Sequence, residues 1–457
     1  MNGNVSFWYA DIGGLPERRP GLPGHRDADI CIIGAGYTGL WTAYYLKKAD
    51  PSLSIVIVER EFAGFGGSGR NGGWLSGGFD WSREKYLKGA SRQAVVAMQT
   101  AMAGTVDEVI RVAEAEGLDA DILRTDNLVV ATNAAQMGRL ADEHNVMREW
   151  DVPAEKIGLL SAGEAAARVR VAGVQGGLVV RGMARVQPAK LVRGLALAVE
   201  RLGITIYEGT AVTAYRKGVV ETERGTVRAP IILRATEGFT AGLPGHEREW
   251  LPLNSAQIVT EPLPDVLWDK IGWRGHELLG EGAHAYCYAQ RTREGRIAMG
   301  GRGVPYRFGS RTDVNGRTQD ATIRQLHAIL LRLFPTLKDL RIDHAWCGVL
   351  GVPRDWCTTA GFDAASGLGW AGGYVGLGVS SSNLAGRTLA DLVLKRDTEL
   401  VRLPWVNRKV RSWEPEPLRW LGVHSMYKLY KLADRREAEG LGRTSQFARL
   451  ADKITGH

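Results

Sequence analysis

The sequence predicts an α/β fold: a discontinuous Rossmann-like dinucleotide-binding domain, with an α+β second domain on a mixed or antiparallel sheet interleaved into it. Three observations predict it. Asp27 to Arg60 reads strand, glycine fingerprint, helix, strand and acid at the spacing of a βαβ unit. Far downstream a second glycine-rich segment, GLGWAGGYVGLGVSSSNLAGR, runs into a helical pattern. Between them, Ser255 to Phe308 alternates with the period of two that marks half-buried sheet.

Residues 1–28 are rich in Gly and Pro and read as an irregular arm anchored by Phe7, Trp8 and Tyr9. Asp29 to Ile33 is a short apolar strand. Gly34, Gly36 and Gly39 then form GxGxxG as the chain turns into a helix. The first glycine permits the tight turn, the second lets backbone approach a pyrophosphate, and the third lets helix and strand pack closely. Phosphates would sit on the unpaired N–H groups of the helix N-terminus. The helix ends near Asp50-Pro51, and Ser54 to Val58 is the second buried strand. Glu59 closes it twenty positions after Gly39, where a carboxylate accepts hydrogen bonds from both ribose hydroxyls and repels a 2′-phosphate. FAD and NAD share this fingerprint, so it leaves the dinucleotide open.

GFGGSGRNGG follows directly, with six glycines in ten positions that let backbone N–H groups reach a large planar ligand. Helices are expected over Arg92–Glu116, Ala134–Trp150, a Ser161/Glu164-capped turn through Arg170, Pro188 to Gly203, Thr318–Phe334 and Ser382–Lys395. Strands are expected over Asn127–Thr132, Val174–Gln187, Ile204–Glu208, a run through Val212, Val219 and Val227 to Leu233, and Asp343–Val349.

A chain of 457 residues exceeds one ordinary core and implies about two domains. Composition is that of a globular protein. The start shows no basic region followed by an apolar stretch, and no apolar run approaches a membrane span. Cys31, Cys287, Cys347 and Cys357 are too few and scattered for a disulfide framework or a metal site, so a reducing cytoplasm is the expected home. The net charge of +8 is concentrated in residues 401–457, which hold twelve Lys/Arg against six Asp/Glu. No basic stripe interleaved with aromatic residues suggests nucleic-acid binding.

GAGYTGLWTAYYL, GSGRNGG, QPAKLVRGLALAVERLGITIYEGTAV, IILRATEGFT, EGRIAMGG and GGYVGLGVSSSNLAGR occur here in an order that resembles the FAD-dependent D-amino-acid-oxidase-like (glycine oxidase-like) superfamily, nearest its gamma-glutamylputrescine oxidase branch. The resemblance covers roughly Asp29 to Lys395. It implies FAD, with pyrophosphate at Gly34, Gly36, Thr38 and Gly39, ribose at Glu59 and Arg60 beside the adenine. It puts Gly67, Ser68, Arg70, Asn71, Gly72 and Gly73 on the flavin side, Val212 at the adenine, and Ala235, Thr236 and Gly238 near the pyrophosphate. Gly376, Leu377, Gly378, Val379 and Ser380 would offer backbone N–H groups to the pyrimidine end of the isoalloxazine. The domains are then 29–90, 160–250 and 343–400 for FAD, 91–159 and 251–342 for substrate, with an arm at 1–28 and a tail at 401–457.

Relatives of the sarcosine oxidase type place a substrate-holding lysine where this chain has Ser380, so a simple N-methyl amino acid is disfavoured. They also carry a flavin-linked cysteine near the position of Cys347; the alternative is a small buried thiol. Candidates for substrate contact are Trp74, which would wall the pocket or belong to the core, Tyr286 and Tyr288 on one strand face, Arg291, Arg302 and His344. The implied activity is oxidation of an amine or amino-acid-like C–N bond to an imine, with oxygen reduced to hydrogen peroxide. The alternatives are a dehydrogenase serving a quinone or carrier protein, and a flavin-binding protein without turnover. Leu418 to Glu439 reads as a basic amphipathic helix. It would dock on the body or a sister subunit, or lie on an anionic membrane.

Overall fold

The computed structural model describes residues 1–79, 81–301 and 306–455. Arg302 lies outside the described residues.

Ile30–Ile33 and Ile55–Val58 pair in parallel, and every residue of both strands is buried. Four-residue runs of Ile, Val and Cys suit strands covered on both faces. They sit inside a six-stranded sheet ordered Thr359–Asp363, Leu368–Gly372, Ile231–Arg234, Ile30–Ile33, Ile55–Val58, Thr205–Tyr207. All of its neighbours are parallel except the first pair, which is antiparallel. The fingerprint helix Tyr37–Ala49 and the helix Gly378–Val393 lie against one another on this sheet. Their closeness depends on Gly386, where a Cβ would come 2.7 Å from Trp41 Cβ.

The second sheet has nine strands and is mixed. Leu251–Thr260 pairs antiparallel with Ile342–Val352 and with Ile297–Gly301, and the sheet continues through Cys287–Arg291, Leu278–Glu281, Leu123–Ala131 and Gly176–Arg185 to Trp74–Leu75. Ile157–Ser161 pairs with Gly176–Arg185 at its side. Strands from stretches that the sequence reading divides between two domains therefore share one sheet. Sheet membership is set by long-range pairing, which leaves no local mark. A smaller four-stranded sheet carries Val212–Arg216, Val219–Thr222 and Gly225–Arg228.

Three elements differ from the reading above. The arm is helical at its anchor, Phe7–Asp11, with Phe7, Trp8 and Tyr9 buried against Trp346 and Phe62. Asp265–Ile271 is a helix inside the alternating stretch, begun by Pro264 and ended by Gly272 at φ +69; seven residues are too short to show a helical period. A further helix, Gln446–Thr455, follows the tail helix Leu418–Ala438.

The tail is docked on the body. Asp434 accepts the backbone N–H groups of His284 and Ala285 at 2.8 and 2.7 Å. Glu437 meets His284 Nε2 at 3.0 Å and accepts from Arg139 Nη1 at 2.8 Å and from the Ser445 N–H at 2.9 Å. No helix among the described residues is long and apolar enough to cross a membrane.

Candidate cofactor site

The site is a cavity at the carboxyl ends of Ile30–Ile33, Ile55–Val58 and Ile231–Arg234, lined from the second sheet by Val349 and Leu350. Ligands of open α/β sheets bind at that edge. The first glycine, Gly34, turns at φ +104, and a Cβ there would come 2.6 Å from the Ala235 carbonyl oxygen. At Gly36 a Cβ would project toward the cavity with only Ser68 Oγ near it, at 2.9 Å. At Gly39 a Cβ would be 2.0 Å from the Gly34 carbonyl oxygen, so this residue packs helix on strand and stands behind the cavity wall.

Glu59 lines the cavity with its carboxylate anchored from behind. Oε2 accepts the Ala35 N–H at 2.8 Å and Oε1 the Glu61 N–H at 2.9 Å. Burial pushes its pKa up against those two bonds. Each oxygen keeps a lone pair for a ribose hydroxyl. Arg60 lies at the rim, its guanidinium 5.1 Å above the Phe239 ring.

The second glycine loop folds back over the fingerprint helix. Ser68 Oγ accepts the Tyr37 N–H at 2.8 Å. Asn71 closes the loop on itself: its Nδ2 donates to the carbonyls of Ser68 and Gly67, and its Oδ1 accepts the Gly73 N–H. Gly72 and Gly73 face the second sheet instead of the cavity. A Cβ on Gly72 would meet the Tyr288 ring at 2.5 Å, and one on Gly73, at φ +69, would meet Gln290 Nε2 at 2.0 Å. On the opposite side Gly376 turns at φ +117 with open space around it, and the helix Gly378–Val393 starts toward the cavity.

Of the residues expected from sequence, the cavity brings together Gly34, Gly36, Thr38, Glu59, Arg60, Gly67, Ser68, Asn71, Val212, Ala235, Thr236, Gly376, Gly378 and Val379. Others stand elsewhere. Arg70 points away into a buried contact, donating to Asp313 at 2.8 Å and to the Phe65 carbonyl at 2.6 Å; it pins the loop from below. Gly238 packs against the long strand, where a Cβ would meet Val349. Leu377 caps the helix start, and the Ser380 hydroxyl donates to the Ser76 carbonyl at 2.5 Å.

The Cys347 thiol belongs to the core around Leu326 and Ala256 and donates to the Arg317 carbonyl at 3.3 Å. Strand alternation turns its neighbour Gly348 toward the glycine loop and the thiol away, and burial pushes its pKa up to about 12. The thiol is free and buried. His344 stands elsewhere: its Nε2 meets the Gly3 carbonyl at 2.8 Å among Phe7 and Trp346, and it is not among the residues that line the cavity. Arg291 lies 4.0 Å over Trp268 and donates to the Trp273 carbonyl. Trp74, Tyr288 and Tyr286 do come together, with ring centroids at 5.9 and 6.2 Å, behind Gly72. The Tyr288 hydroxyl meets Ser255 Oγ at 3.1 Å.

Sequence reasoning missed Phe65, Phe239, Glu237, Leu350 and Tyr374 as cavity residues. Tyr374 and Glu237 stand inside recognised motifs and were within reach; Leu350 faces the cavity only through long-range strand pairing.

Two helix N-termini, an anchored carboxylate and glycine turns into which side chains would intrude fit a bound dinucleotide carrying a flavin. This is the constellation of a flavin-dependent oxidoreductase. The chain belongs to the FAD dependent oxidoreductase family, whose model matches residues 29–392. It is 29% identical over 406 residues to the probable oxidoreductase OrdL of Rhizobium meliloti, covering 86% of this chain and 89% of that one. It is 28% identical over 410 residues to the gamma-glutamylputrescine oxidoreductase of Escherichia coli, covering 87% and 91%. The fold matches the crystal structure of glycine oxidase from Geobacillus kaustophilus with a TM-score of 0.70 at 21% identity, covering 84% of this chain and all of that one.

Proposed function

We propose that this chain oxidises the C–N bond of a small amine or amino-acid-like substrate to an imine, which water hydrolyses, with oxygen taking the electrons and leaving as hydrogen peroxide. The observation that carries the reading is the aromatic cluster of Trp74, Tyr288 and Tyr286 behind Gly72, set beside the similarity to a gamma-glutamylputrescine oxidoreductase over most of both chains. Ring faces attract an ammonium and pack an alkyl chain. Gly34, Gly36 and Thr38 would hold the pyrophosphate, Glu59 the ribose, and the Gly376–Val379 backbone the flavin end.

Bound FAD would supply the hydride-accepting centre. The chain would supply position and an aromatic surface. Burial pushes the Tyr288 pKa up to about 12, so its side chain stays a neutral phenol. A phenol held by Ser255 Oγ can accept a hydrogen bond from a neutral amine and fix its α-carbon. The four cysteines are buried and free, which suits a cytoplasmic setting. Oxygen consumption and peroxide formation measured against amine consumed test the reading: one peroxide per amine supports it, and amine turnover without peroxide moves the acceptor to another molecule. Tyr288→Phe should raise KM several-fold, the value of one hydrogen bond, with the flavin spectrum unchanged.

A further inference from the structure

Glu237 lines the cavity in the short turn after Ile231–Arg234, and no sequence argument gave it a role. Its φ of +42 is a left-handed conformation that a side chain other than glycine adopts at some cost. The carboxylate explains what holds it there. Oε2 accepts the Gly373 N–H at 2.8 Å, and Oε1 accepts those of Gly351 and Tyr374 at 3.1 and 3.3 Å. The donors come from separate parts of the fold. Gly351 is the last residue but one of the long strand of the second sheet, while Gly373 and Tyr374 lie in the turn leading into the helix Gly378–Val393.

The link continues through Tyr374, whose hydroxyl meets Thr38 Oγ1 on the fingerprint helix at 2.8 Å. One carboxylate thus joins the second sheet, the second glycine turn and, through Tyr374, the first. Gly372 permits the approach, since a Cβ there would come 2.5 Å from Oε2. The charged or titratable groups facing the carboxylate are Arg234, which is engaged with Glu249 and Trp250, and Tyr374. Neither forms an ion pair with it among the described contacts, so backbone N–H groups are its support.

We propose that Glu237 is a positioning residue of the cofactor site, its carboxylate setting the turn Gly373–Gly378 and the N–H groups beyond it against the cavity. The inference rests on that cavity being the FAD site. Glutamine at 237 keeps one accepting oxygen and turns an NH2 toward an N–H, so it can serve one side of the clamp and must release the other. Alanine releases all three donors.

The test uses the full chain as wild type, Glu237→Gln and Glu237→Ala. Amide hydrogen exchange at Gly351, Gly373 and Tyr374 is measured together with FAD affinity from quenching of flavin fluorescence. Expected are faster exchange on one side of the clamp in Glu237→Gln and at all three amides in Glu237→Ala. FAD affinity should fall about tenfold or more in alanine and less in glutamine, as loss of several hydrogen bonds to one buried group implies. The bound flavin's visible bands should shift in the same order, which a loss of general stability would not produce. Affinity within twofold of wild type in both variants, with amide protection unchanged, would overturn the proposal. Should the alanine variant not fold, the one-sided release in glutamine decides. A wild type that takes up no FAD would instead overturn the site assignment beneath it.

Discussion

Gly36→Ala separates cofactor binding from folding. Gly36 lies at φ −81 and ψ −176, a conformation open to alanine, so the backbone does not resist the change. The new methyl meets Ser68 Oγ alone, at 2.9 Å, and that hydroxyl accepts the Tyr37 N–H. A shift of a few tenths of an ångström strains this one hydrogen bond and costs the cofactor-free protein about 1 kcal/mol at most. With a pyrophosphate present the same methyl stands where backbone must touch phosphate. FAD affinity should fall about 10- to 100-fold, or ~1.4–2.7 kcal/mol. Titration of apo-protein with FAD, beside urea unfolding of the apo form, reads both quantities. Gly39→Ala is the contrast: its Cβ would sit 2.0 Å from the Gly34 carbonyl oxygen, so helix and strand must part and stability falls first. Undiminished FAD affinity in Gly36→Ala, within twofold of wild type, would refute the placement of the phosphates.

Arg70→Ala should cost about 3–5 kcal/mol in urea unfolding, because it leaves Asp313 buried without its cation; a loss under 1 kcal/mol would show that the pair is solvated. Acid precipitation should release all flavin into the supernatant, and the Cys347 thiol should resist alkylation at pH 8 in the folded protein; flavin retained in the pellet would contradict the thiol's orientation. Burial pushes the Glu437 pKa up, but bonds from His284, the Ser445 N–H and Arg139 outweigh it and hold the group down at about 2, below its usual 4.5. The stability it lends is therefore complete above pH 4.5 and lost as pH falls toward 2. Wild type should exceed Glu437→Gln in urea midpoint at pH 5, and the margin should narrow as pH falls below that; a margin that is flat into acid would refute the linkage.

What could be read from sequence was local. The fingerprint, its helix and Glu59 lie within thirty-odd residues, and each is specified by neighbours in the chain, so their places in the cavity follow from spacing. The capping box of Ser161 and Glu164 is present for the same reason. Facing was harder. Arg70 sits in the glycine loop expected to line the flavin, yet its side chain turns under the loop toward Asp313, a residue brought near by the long strand. Cys347 and Gly348 differ in facing by one position of strand alternation, and nothing local sets which of them meets the loop. Leu350 reaches the cavity through the long strand of the second sheet, which is placed by pairing with residues far off in the chain. Tyr286 and Tyr288 were correctly put on one face, since a period of two is a local property.

The proposed chemistry is C–N oxidation at a bound FAD. Its most direct test is the visible spectrum of the purified protein, kept anaerobic while primary, secondary and polyamine-derived amines are added one at a time, then exposed to air. Expected are a flavin spectrum at the outset, bleaching by one class of amine, and rapid return of colour in air with peroxide formed. A flavin that no amine in the panel bleaches, or a protein that binds no flavin, would contradict it.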